Sequence, residues 1–133
     1  MPTCATGPFE VKLAVQLSDA ADGNTLERRT LDKRFHGDLD AESRGEMLSA
    51  GTAVKGSAGY VAMERVTGTL HGRSGTFVLQ HTATMDRGAP SLSITVVPDS
   101  GTGELAGLTG HMNIRIEGGQ HSYDFEYELP AKA

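Results

Sequence analysis

Between Gly59 and Leu129 apolar and polar residues alternate in short runs, each run closed by a glycine-rich turn. That pattern leaves few folds open, because a period of two puts successive side chains on opposite faces of a strand. Leu92, Ile94 and Val96 share one face of a run from Ser91 to Val97. Met112, Ile114 and Ile116 do the same from Thr109 to Glu117, and Tyr123, Phe125, Tyr127 and Leu129 from Ser122 to Leu129. Gly118-Gly119 between the last two is a hairpin signal. Tyr60–Leu70 and Thr76–Met85 read as a further hairpin, joined by His71-Gly72-Arg73-Ser74-Gly75.

The first half of the chain is less regular. Phe9, Val11, Leu13, Val15 and Leu17 form one apolar face, ending at the turn Asp22-Gly23-Asn24. Leu26–His36 reads as a charged strand in which Leu31, Lys33 and Phe35 share a face. Leu39–Ala50 is ambiguous. Asp40-Ala41-Glu42-Ser43 resembles a helix start, but Gly45 interrupts it and Gly51 closes a segment too short for a stable helix, so a strand is favoured. The sum is an all-β chain of about eight strands, hence a barrel or a sandwich. Closure removes exposed edges, which favours an antiparallel barrel. Eight strands leave a lumen wide enough to be filled by side chains or to hold one small ligand.

The 133 residues suit a single domain over 1–133, with ends at 1–7 and 130–133 expected to fray. A net charge of −5 and the lack of a basic stripe argue against nucleic acid as a partner. Cys4 is the only cysteine, so no disulfide forms within the chain. The start lacks the pattern of a signal peptide, and no apolar run reaches the roughly 20 residues of a membrane helix. A soluble cytoplasmic protein without a membrane partner is the expectation.

Several phrases, in order, carry a family resemblance. They are Gly45-Glu46-Met47-Leu48, Gly59-Tyr60-Val61-Ala62-Met63-Glu64, Gly72-Arg73-Ser74-Gly75-Thr76-Phe77-Val78-Leu79-Gln80-His81, Val97-Pro98-Asp99-Ser100-Gly101-Thr102-Gly103-Glu104-Leu105 and Gly119-Gln120-His121-Ser122-Tyr123. Together they resemble an uncharacterised bacterial family of unknown function whose members adopt the allene oxide cyclase-like β-barrel, over Phe9 to Leu129. The resemblance implies an eight-stranded, calycin-type antiparallel barrel with a central cavity. It implies no reaction, since barrels of this shape serve both binding and cyclisation.

The candidate chemistry lies on two consecutive strands. Tyr60, Ala62, Glu64 and Val66 share a face, as do Phe77, Leu79, His81, Ala83 and Met85. If both faces look inward, Glu64 is a carboxylate in an apolar cage. Burial would then raise its pKa and suit it to general acid or base work. The alternative is a structural carboxylate, ion-paired or hydrogen-bonded across the barrel. Counting outward from the turn near Arg73 puts Glu64 and His81 within reach of each other, and a carboxylate–imidazole pair is the minimal apparatus for moving a proton. A satisfied core histidine is the alternative for His81.

Gln80 is a further polar anchor, and Tyr60, Leu92, Ile94, Tyr123 and Phe125 are the candidate ligand-lining residues. His36, His71, His81, His111 and His121 match no metal spacing. The glycine-rich turns lack the Gly-Lys-Ser/Thr ending of a phosphate loop, and no serine sits in a nucleophile elbow. No metal or cofactor is expected. The leading functional reading is a barrel that binds a small hydrophobic molecule. The alternatives are a cofactor-independent isomerase or cyclase using Glu64 with His81, and a structural or interaction module with a filled core. Self-association into a homo-oligomer is compatible with the apolar residues not needed inside.

Overall fold

A computed structural model describes residues 2–130. Eight strands follow one another: β1 Thr3–Ala21, β2 Asn24–Phe35, β3 Leu39–Thr52, β4 Ala58–Leu70, β5 Arg73–Asp86, β6 Ala89–Val96, β7 Thr109–Glu117 and β8 Gln120–Glu128. Each pairs antiparallel with the next, and β8 returns to β1 to close a barrel. The helical content among the described residues is one 3-10 turn, Gly103–Leu105. No helix among them is long and apolar enough to cross a membrane.

Four hairpins close through two-residue turns, at Asp22-Gly23, His71-Gly72, Arg87-Gly88 and Gly118-Gly119. All eight of these residues have positive φ, the signature of the turn whose twist matches that of the flanking strands. The ambiguous segment resolves as β3, because pairing on both sides outweighs its weak helix signals. The expected fraying over 1–7 is corrected for Thr3–Gly7, which pair with β8 in register Thr3↔Tyr127 to Gly7↔Tyr123 and anchor a fully buried Ala5. At the other end the expectation over 131–133 lies outside the described residues. The face assigned to Leu17 also changes. A bulge between Val15 and Leu17 pairs Leu17 with Arg28, so it leaves the inner face that Val15 keeps.

The inside of the barrel divides in two. At the end near the β2–β3 and β4–β5 turns, Phe9, Phe35, Phe77, Phe125 and Tyr123 form one buried aromatic cluster with Leu39, Leu70 and Leu79. Its rings lie in contact, with Phe77 stacked on Phe125 at 5.8 Å and Phe35 edge-on to Tyr123 at 5.6 Å. Leu105 and Leu108, from the β6–β7 connection, join the same cluster. At the other end β1 runs on past its last β8 partner, pairing with β2 as far as Ala21. β6 and β7 pair only beside the packed half, at Ile94↔Met112 and Thr95↔His111, and have parted at the open end. The inward-facing Leu13, Val15, Leu92 and Ile116 are therefore 45%, 54%, 41% and 64% exposed.

Candidate functional site

Where the packed and open halves meet, four consecutive strands each turn one polar side chain inward. Lys33 comes from β2, Ser43 from β3, Glu64 from β4 and His81 from β5, and all four are buried. The alternation that places Lys33 between Leu31 and Phe35 also aims it at the lumen. Gly45 stands opposite Glu64 in the β3–β4 register. A Cβ at Gly45 would lie 1.9 Å from the Met63 carbonyl oxygen and 2.7 Å from the Glu64 Cα, so only glycine lets β3 press this close beside Glu64.

Glu64 is the hub. Its Oε2 accepts from Lys33 Nζ at 2.9 Å and engages His81 Nε2, and its Oε1 accepts from Ser43 Oγ at 2.8 Å. Lys33 Nζ also lies 5.2 Å from the Phe9 ring centre and 5.7 Å from that of Phe35, which gives the ammonium aromatic as well as ionic company. Burial alone would raise the Glu64 carboxyl. The His81 hydrogen bond and the charges of Lys33 and His81 outweigh it and hold the pKa down at about 2. This corrects the expectation of a raised carboxyl. Glu64 is an ionised, fully partnered carboxylate, unsuited to act as a general acid near neutral pH.

His81 keeps a free atom. Its Nε2 is taken by Glu64, while Nδ1 makes no hydrogen bond among the described residues and is not one of the fully enclosed unpaired atoms. Above it, Tyr60 shares the inner face of β4 with Glu64, and its hydroxyl pKa is raised by burial and then by the Glu64 charge. Arg29, on the inner face of β2, donates to Glu27 at 2.5 Å. Its Nε is enclosed without a hydrogen-bond partner among the described residues.

The structure thus brings Glu64 and His81 together, although they are diagonal rather than directly opposite: Glu64 pairs with Leu79, and His81 with Ala62. Tyr60 and Leu92 border the open half. Ile94, Tyr123 and Phe125 are corrected from ligand lining to packed core. The Tyr123 hydroxyl accepts from the Leu39 N–H at 2.8 Å and donates to the His36 carbonyl at 2.6 Å. Burial, more than the hydrogen bond from Leu39 can offset, pushes its pKa up to about 12. Gln80 is exposed on the outer face, so its place as a lumen anchor is also corrected. Lys33 and Ser43 went unassigned in the sequence. Their only signal is that each alternates with apolar or small inward neighbours. No group of three or more His, Cys, Asp or Glu among the described residues is placed to hold a metal ion.

A closed eight-stranded antiparallel barrel, packed at one end and floored by a buried Lys–Glu–His cluster, defines the class. Residues 5–127 match the family model described as protein of unknown function, DUF3224, and the chain belongs to that family. It is similar to a crystal structure from Shewanella oneidensis MR-1, described as a protein with unknown function from the DUF3224 family. The identity is 53% over 99% of this chain and 100% of that one, with a TM-score of 0.94. No curated protein matches. Neither finding names a ligand, a reaction or an allene oxide cyclase relationship.

Proposed function

We propose that the protein binds a small hydrophobic molecule in the open half of the barrel, with the ligand's polar group directed at the Glu64–His81 floor. The carrying observation is the inward set Leu13, Val15, Leu92 and Ile116, which stays 41–64% exposed above a buried ionic cluster. Sites for small molecules combine apolar walls with a few placed polar groups, and here His81 Nδ1, the Tyr60 hydroxyl and Arg29 supply them. An exposed free Cys4 favours a reducing compartment such as the cytoplasm. The test is a fluorescence titration with an anilinonaphthalene dye, whose emission rises in apolar surroundings. Val15→Arg on the inner wall should abolish the signal, and Leu48→Glu on the outer wall should leave most of it. Retention in Val15→Arg would end the proposal.

The unpartnered Nδ1 of His81 supports a second reading, a cofactor-independent isomerase. This reading needs the neutral ring, in which the hydrogen bond to Glu64 holds the proton on Nε2 and leaves the lone pair on Nδ1. A carbon acid gives a proton to Nδ1 and takes it back at another carbon, with no oxidant or co-reactant. Glu64 stabilises the imidazolium between the two transfers. In this reading His81 moves the proton and Glu64 positions it. Nitrogen-15 NMR of the ring decides the premise: a spectrum of the Nδ1–H tautomer at neutral pH would rule it out.

A further inference from the structure

The open half has a second apolar surface, on its outside. Leu17, Leu26, Leu48, Val61 and Met63 are between 48% and 62% exposed. The β-ladder sets them side by side, since Leu17 pairs with Arg28, Arg28 with Leu48, and Leu48 with Val61. A trough of about 640 Å³ runs along Leu17, Leu26, Leu48 and Val61. Nearer the closed end the equivalent outer row is Lys12, Asp32, Arg44 and Arg65, charged at every position. The change from a charged wall to an aliphatic one within a few residues marks a surface that is covered.

We infer that a second copy of the chain covers it, the two open halves packing outer face to outer face about a two-fold axis. Shape supports this occupant. The wall of a twisted, closed sheet is saddle-shaped, and a saddle turned over about an axis in its own surface nests on itself. Charge supports it as well. Arg28 stands in the middle of the aliphatic row, held only by Glu46 at 3.5 Å, and Asp19 at the rim makes no ion pair among the described residues. A two-fold arrangement offers the Asp19 of each copy to the Arg28 of the other. A net charge of −5 weighs against an anionic lipid surface as the occupant.

Sedimentation velocity on the full chain over a concentration series tests this, with wild type expected as a dimer. Leu48→Glu and Val61→Glu, which place a charge at exposed positions and leave the core untouched, should each give a folded monomer with the wild-type circular-dichroism spectrum, its melting temperature lower only by the stabilisation the dimer supplied. Arg28→Asp and Asp19→Arg should each weaken the dimer roughly tenfold. The double swap should recover most of that loss. A wild type that stays monomeric throughout, or a dimer that survives both glutamate variants, overturns the inference. A double swap no tighter than its parents overturns the two-fold arrangement.

Discussion

The packed and open halves of this barrel use the same alternation, and in places the same strand. On β6, Ile94 is buried, and Leu92, two residues before it on the same face, is 41% exposed. On β1, Phe9 is buried and Val15 is 54% exposed. The difference lies in the neighbours. At the closed end all eight strands contribute and Leu105 and Leu108 join the core, whereas at the open end β1 has outrun β8, and β6 has parted from β7. A period-two pattern fixes which face a residue takes. What the face meets depends on how far the other strands extend.

If the comparison holds, the halves respond differently to truncation. Phe125→Ala should cost about 4 kcal/mol, because it opens a cavity in a core that cannot collapse. Val15→Ala should cost less than about 1 kcal/mol. Thermal unfolding of the two variants would break the distinction if their melting temperatures fell equally.

The boundary comes next. Glu64→Gln leaves Lys33 buried without its counter-charge and should cost about 3 kcal/mol. The acid dependence sharpens this. The Glu64 pKa is lowered from an ordinary 4.5 to about 2, so the folded state binds this proton less readily than the unfolded state. Its contribution is therefore present above about pH 4.5 and is lost as the pH falls through about 2. Urea unfolding across that range should show the decline in wild type and a flatter profile in Glu64→Gln.

Smaller effects follow. Tyr123→Phe leaves the Leu39 N–H and the His36 carbonyl without their hydroxyl and should cost about 1–2 kcal/mol, with dye binding unchanged. Leu92→Ala should cost less than about 1 kcal/mol and weaken dye binding several-fold, read by the same fluorescence titration. A Tyr123→Phe variant that lost dye binding would erase the functional boundary between the halves.

Much of the fold was legible in the chain. The strand count and the residues that share a face with Glu64 and with His81 came from alternation, and the hairpins from their glycine turns, but which of the two faces looks inward did not. Height along the barrel was not legible. Leu92 and Ile94 share a face, and so do Tyr60 and Val66, but only the extent of neighbouring strands says which of them are sealed. Lys33 stood on an apolar face in the sequence. Nothing local paired it with Glu64, because the contact crosses from β2 to β4. The bulge that sends Leu17 outward leaves no mark in the residue pattern, and Gly45, read as a helix breaker, is the space in which β3 and β4 approach at Glu64.

The β6–β7 junction has a kinetic consequence. Every other neighbouring pair of strands is held by seven or more register pairs, and this one by two. Opening free energy scales with the hydrogen bonds and contacts that must be given up, so the wall parts here before it parts anywhere else. In amide exchange the protons of Thr95 and Met112 should then trade with solvent through a local breath of the wall, while those of β3 and β4 wait for the whole barrel to unfold. A cylinder with one loose stave has a built-in side door, and the threshold of that door stands at Ile94, the register neighbour of His81.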